Sequence, residues 1–179
     1  MFRRTPARPR PRRPRAPLYT PAERARRDAT PWTLVQGVLA PVQLVVMLAS
    51  AGLVLRYLAT GEGLQAANAS VLLKTGLLYA IMVTGARWEK VVFGRWLFAP
   101  AFFWEDVVSF VVIAIHTLYL AGLAAGFLGP RGLMYTALVA YALYAVNAAQ
   151  FVLKLRAARQ TAAASGAGAP LHTGGEVAA

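Results

Sequence analysis

Four long apolar stretches separated by short polar breaks organise the chain. The first runs from Trp32 to Leu55 without a charged residue, and the second from Leu64 to Ala86, interrupted only by Lys74. The third, Val107 to Leu128, contains His116; the fourth, Leu133 to Leu153, carries Asn147 and Gln150 near its end. A helix needs ~20 apolar residues to cross the hydrocarbon core of a bilayer, and all four stretches reach that length. Backbone N–H and C=O groups in lipid must be paired within the segment, which leaves the helix as the form each stretch takes. The pattern therefore predicts an all-α polytopic membrane protein with four transmembrane helices. Pro41 removes a hydrogen bond inside the first helix and predicts a kink there. Gly61-Glu62-Gly63 and Gly129-Pro130-Arg131-Gly132 are turn signals.

Outside these runs the composition changes sharply. Residues 1–31 alternate arginines (Arg3, Arg4, Arg8, Arg10, Arg12, Arg13, Arg15) with prolines and offer almost nothing apolar to bury, which predicts a disordered tail. It lacks the apolar core and small-residue cleavage site of a secretory signal peptide. Residues 157–179 are Ala/Gly-rich and predict a second disordered tail, leaving 32–156 as the membrane domain. Apolar residues make up 58% of the chain, above the ~45–50% of soluble domains. The net charge of +12 does not contradict this, because ten of the nineteen Lys and Arg precede residue 31. With the tails and the 87–106 connection on one side, sixteen basic residues face two, Arg56 and Arg131, on the other. The positive-inside rule then places both termini in the cytoplasm. A basic tail on a membrane-tethered chain lies beside anionic lipid headgroups, so lipids rather than nucleic acid are its expected partners. The absence of cysteine excludes disulfides and thiolate chemistry, and two histidines do not make a multi-His metal site.

Candidate chemistry concentrates between the second and third runs. Residues 88–104 hold seven of the protein's nineteen aromatics: Trp88, Phe93, Trp96, Phe98, Phe102, Phe103 and Trp104. An interfacial belt accounts for Trp88 and Trp104. A segment half in the membrane and folded back to line a cavity accounts better for a connection this long, this apolar and still acidic. Its carboxyls are Glu89, Glu105 and Asp106. Lys90 follows Glu89 and is expected to hold it ionised. Glu105 and Asp106 stand at the start of a helix, where they complement its dipole, and after an apolar run, where burial and mutual repulsion raise a carboxyl pKa. Glu105 is therefore expected as a proton donor and Asp106 as a water-positioning base, with Glu89 as the third candidate.

Two further polar residues lie deeper. His116 shares a helix face with Glu105, Ser109 and Val112, ~16 Å further along the axis. It is either satisfied by a neighbour or available as an axial ligand to a metal macrocycle. Lys74 is the one charge deep in the second run, which suggests pairing with a carboxylate of the protein or of a ligand. Tyr144, Asn147 and Gln150 either line the same end of the bundle or bond between helices. No nucleotide-binding glycine motif, catalytic triad order or metal-ligand cluster is present.

Several segments together resemble a known family. They are Arg27-Asp-Ala-Thr-Pro-Trp-Thr-Leu-Val-Gln-Gly-Val-Leu-Ala-Pro41, Leu55-Arg-Tyr-Leu-Ala-Thr-Gly-Glu-Gly63, Trp88-Glu-Lys-Val-Val-Phe-Gly94 and Leu97-Phe-Ala-Pro-Ala-Phe-Phe-Trp-Glu-Asp106. They resemble the 3-vinyl bacteriochlorophyllide hydratase family over about Tyr19 to Arg159. The resemblance implies a hydro-lyase of bacteriochlorophyll a biosynthesis in the inner, photosynthetic membrane of a bacterium. Its substrate would be a magnesium (bacterio)chlorophyllide, and other pathway enzymes are candidate partners. Water would add across the vinyl group to give a 1-hydroxyethyl group, with no cofactor, the magnesium belonging to the substrate. Trp88, Trp96, Phe102, Phe103 and Trp104 would wall the macrocycle, His116 would ligate its magnesium and Lys74 would meet its propionate. A non-enzymatic pigment-binding or assembly subunit is the competing expectation.

Overall fold

The computed structural model describes residues 18–167, as five helices: α1 (Pro21–Ala29), α2 (Pro31–Thr60), α3 (Leu64–Phe93), α4 (Phe103–Ala125) and α5 (Pro130–Ala167). The expectations for residues 1–17 and 168–179 lie outside the described residues. Helices α2 to α5 are each long and apolar enough to cross a membrane, in line with the four apolar runs. Large apolar side chains such as Leu34, Val83 and Val45 stand exposed around the bundle. A soluble protein would not tolerate so wide an apolar surface; here it is the lipid-facing skin.

The helices outrun their apolar stretches. The thirty residues of α3 span ~45 Å, against a core of ~30 Å, so its ends emerge from the hydrocarbon. Helix α2 runs unbroken through Pro41 and stops at Gly61, whose φ of 78° is the left-handed conformation that closes a helix. Gly63 repeats it at 82° to start α3, so the tight α2–α3 turn rests on two glycines that no L side chain replaces freely. Helix α3 continues seven residues past the predicted Ala86 and ends at Gly94, also left-handed. The predicted twenty-residue connection therefore shrinks to 94–102, with Trp88 and Glu89 helical. The structure shows no long segment folded back into the membrane there. Its apolar residues continue α3 and start α4.

Helix α1 corrects the expectation of a disordered tail through residue 31. Thr20 caps it: its hydroxyl accepts from the Glu23 amide (3.3 Å) while Glu23 accepts from the Thr20 amide (2.8 Å), with Pro21 at the first position. Arg26 donates to the Val92 carbonyl (2.8 Å), and buried Tyr19 stacks on Phe93 (5.8 Å between centroids), fastening α1 to the end of α3. These contacts, with Phe151 of α5 stacked on Phe102 (5.8 Å), bring the start of α2, the end of α3, the 94–102 connection and the far part of α5 to one end of the bundle.

Lipid supplies no hydrophobic drive between helices, so packing and interhelical hydrogen bonds hold the bundle. Val54, Val71, Val112, Tyr119 and Met134 form its apolar centre. Ser50 bonds both Ser70 (2.7 Å) and Tyr141 (2.6 Å), tying α2 to α3 and α5, and Tyr119 donates to Asn68 (2.7 Å), tying α4 to α3.

Candidate active site

At the end of the bundle marked by the 94–102 connection, the aromatic residues divide into two sets. Trp88, Phe93, Phe102, Tyr19 and Phe151 pack on one another at 5.6–6.4 Å. Trp88 also donates to Thr33 (2.9 Å), and Phe102 is buried. Trp88 and Phe102, expected as walls for a macrocycle, are thus committed to each other and clamp α1 to the bundle. Trp96, Phe103 and Trp104 are exposed, and two residues not expected as walls join that outer set: Phe98, one of the seven aromatics of the segment, and Phe110 of α4. Phe98 stacks on Phe110 (5.4 Å, 13° between planes) and meets Phe103 at 5.7 Å, while Phe103 and Trp104 form a T at 5.4 Å. The outer set is an exposed aromatic face.

The three carboxyls are buried. Their partners differ from the sequence expectation. Asp106 accepts from the Phe98 amide (2.7 Å) and Glu89 from the Ala99 amide (3.1 Å). Consecutive amides of the connection thus hold carboxyls from two helices, and those carboxyls lie within hydrogen-bonding reach of each other. Phe98 achieves this with φ of 57°, the only non-glycine described residue in the left-handed region. A bulky side chain there costs ~1–3 kcal/mol and persists where the surroundings fix it. Lys90 does not reach Glu89; it donates to the Gly94 carbonyl (3.0 Å) and caps α3. Glu105 points the other way, towards α5, where Lys154 forms an ion pair with it (2.5 Å) and also donates to the Ala101 carbonyl. Adjacent residues on a helix are turned ~100° apart, which separates Glu105 from Asp106.

The deeper polar residues form a different group. Lys74 is 0% exposed; it donates to Gln43 (2.6 Å) and lies over the Tyr144 ring (3.9 Å), so a neutral amide and an aromatic face stand where a carboxylate was expected. Gln43 in turn donates to the Leu77 carbonyl (3.1 Å). His116, also fully buried, has Nδ1 2.8 Å from the Val112 carbonyl, its ring 5.9 Å from Tyr141, and no partner on Nε2. From Asp106 to His116 is ten residues, ~15 Å of helix, so the carboxyls and the His116–Lys74 group occupy separate levels. Closer to the carboxyls, Asn147 donates to Ser109 (2.8 Å) across the α4–α5 seam.

The arrangement offers acid–base groups at a membrane surface beside an aromatic face. Burial of a carboxyl pair that can hydrogen-bond only with a proton between them suits proton donation to a weakly basic carbon.

Comparison with known proteins gives a consistent picture. A family model described as "2-vinyl bacteriochlorophyllide hydratase" matches residues 19–157. A protein of Cereibacter sphaeroides named 2-vinyl bacteriochlorophyllide hydratase is 66% identical over 150 residues, 83% of this chain and 92% of that protein. A protein of Rhodobacter capsulatus with the same name is 62% identical over 155 residues, 86% of this chain and 90% of its own length. No solved structure matches.

Proposed function

Because the chain belongs to the 2-vinyl bacteriochlorophyllide hydratase family, we propose that its carboxyl–aromatic end is where water is added to the vinyl group of a (bacterio)chlorophyllide. The protein is a hydro-lyase of bacteriochlorophyll biosynthesis. The vinyl-bearing ring carbon counts as 2 or 3 according to the macrocycle convention, and the product carries a 1-hydroxyethyl group. The observation that carries the placement is the burial of Glu89, Glu105 and Asp106 together, inside the matched region and beside an exposed aromatic face. The non-enzymatic pigment-binding alternative gives way, since both named relatives are hydratases.

The chemistry assigns work to these residues. The flat macrocycle lies at lipid level against Phe98, Phe103, Phe110 and Trp104, whose stacking energy and apolar surface suit it. A proton passes from a carboxyl to the terminal vinyl carbon, breaking the π bond and forming a C–H bond. The positive charge left on the neighbouring carbon spreads into the macrocycle. Water then forms the C–O bond there and returns a proton to a carboxylate. No electrons are exchanged with a cofactor.

The sequence pattern favoured Glu105 as the donor. The geometry supports a different division. Glu105 is engaged by Lys154 in an ion pair, which leaves the Glu89–Asp106 pair, held by the consecutive amides of Ala99 and Phe98, as the better candidate for the donor. His116 and Lys74 are fully buried, so they reach a bound pigment's magnesium or propionate only if the helices part around it.

The test is the rate of water addition to a vinyl chlorophyllide, followed by mass, in membranes carrying Glu89→Gln, Asp106→Asn and Glu105→Gln variants. Removing the donor carboxyl is expected to cost about two or more orders of magnitude in rate with pigment still bound. Near-normal rates in both Glu89→Gln and Asp106→Asn, with loss only in Glu105→Gln, would return the donor role to Glu105.

A further inference from the structure

The second substrate of this reaction is water, and it must be held in a largely apolar environment. The seam between α4 and α5 contains polar atoms with no partner in the protein. Asn147, 8% exposed, donates from its amide nitrogen to Ser109, while its Oδ1 is buried and unpaired. Gln150 Oε1 is likewise buried without a partner. Turning the Asn147 amide over would orphan its nitrogen instead, so one atom stays unsatisfied either way. A buried polar atom left unpaired is unfavourable, and such atoms are where buried water resides.

Spacing puts these atoms in line. Asn147, Gln150 and Lys154 recur at intervals of three and four residues, one face of α5, and Glu105 and Ser109 are four apart on α4. The bonds Asn147–Ser109 and Lys154–Glu105 show that the two faces meet. Asn147 stands at the first of these contacts, and Gln150 sits on the same face of α5 between Asn147 and Lys154, the partner of Glu105.

We propose that this α4–α5 seam is the binding site of the attacking water, held by Asn147 and Gln150 beside Glu105. The proposal rests on the hydratase reading above. Two acceptor oxygens suit a molecule with two O–H donors. A water that donates to both keeps a lone pair free for the carbon. As the C–O bond forms, one O–H turns from its amide oxygen to the Glu105 carboxylate, which takes the released proton while the other amide oxygen holds the hydroxyl. Ser109 and Lys154 fix Asn147 and Glu105 and need not touch the water.

The experiment uses the full chain in membranes, a vinyl chlorophyllide and heavy water. Two quantities are read by mass: hydrated product, and deuterium entering the vinyl group of recovered substrate. Protonation followed by loss of a proton exchanges the terminal vinyl hydrogens, whereas capture by water gives product. In Asn147→Leu and Gln150→Leu variants, which remove the acceptors, hydration is expected to fall tenfold or more. The ratio of exchange to hydration is expected to rise at least tenfold, because the cation forms but is not captured. Unchanged hydration in both variants overturns the proposal, as does a parallel fall of exchange and hydration that leaves the ratio unmoved. Should Asn147→Leu fail to accumulate, Asn147→Ser, which keeps a polar oxygen, is read in its place, with a ratio between those of the wild type and Gln150→Leu expected and a wild-type ratio counting against the site. The unmodified protein separates this outcome from the parent reading, since failure of that protein to hydrate the vinyl group removes the reaction itself.

Discussion

His116 and Phe98 show how a single residue's surroundings decide what it can do. His116 keeps one nitrogen on the Val112 carbonyl and leaves the other unpaired inside the bundle. If that nitrogen takes the pigment's magnesium, His116→Phe should weaken binding of a magnesium pigment at least tenfold and leave its metal-free analogue nearly unaffected. Equal weakening of both, in a titration followed by pigment absorbance, would make His116 a packing residue. Phe98 was counted in the sequence only as one aromatic among seven. Its left-handed backbone, which aims the amide at Asp106, has no signal in a sequence where glycine would be the ordinary choice. The Glu105–Lys154 pair was equally hidden, because forty-nine residues separate its partners and only the packing of α4 on α5 joins them.

At the scale of elements, the apolar runs revealed the four spanning helices because lipid demands continuous apolar length. Their ends were legible only in part. Helix α3 carries Trp88, Glu89 and Lys90 past its apolar run because Trp88 leans on the aromatic cluster, Glu89 on the Ala99 amide and Lys90 on the Gly94 carbonyl rather than on lipid. The first helix was missed although Thr20-Pro21-Ala22-Glu23 is a capping-box pattern with proline at the first position; the surrounding arginines and prolines masked it. That cap gives a prediction. Thr20→Ala should cost ~1 kcal/mol of local α1 stability, seen as faster amide hydrogen exchange across 21–29. Unchanged exchange there would mean that Arg26 and Tyr19 alone hold the helix. The bonds from Thr20 also hold the Glu23 carboxyl below the ordinary glutamate range. A lowered folded value stabilises above the unfolded pKa and is lost as pH falls through the folded one, so acidification should loosen α1 in the same assay. Burial pushes the Tyr19 phenol up against the pull of Arg27, which favours the neutral ring seated in the cluster.

For the whole molecule, sixteen basic residues against two predict that both termini face the cytoplasm. Reporter fusions after Arg159 should read cytoplasmic and fusions at Glu62 the opposite side; a far-side reading after Arg159 would reject this orientation. The same fusions bear on how the chain enters the membrane. Lys74, roughly 15 Å into α3 from the α2–α3 turn, would burden that helix alone in lipid by ~2.5–3.5 kcal/mol on insertion scales. Gln43, on the preceding helix, is its hydrogen-bond partner. Because α2 leaves the ribosome first, it is in place to receive the amine, and the two helices are expected to partition as a pair rather than one after the other. Gln43→Leu makes α2 more apolar yet should divert a fraction of α3 from the bilayer, detected as far-side signal from a reporter at Arg95; an unchanged signal would show that α3 enters unaided. The polar contact at the bundle's centre would then govern the protein's biogenesis, before any pigment is met.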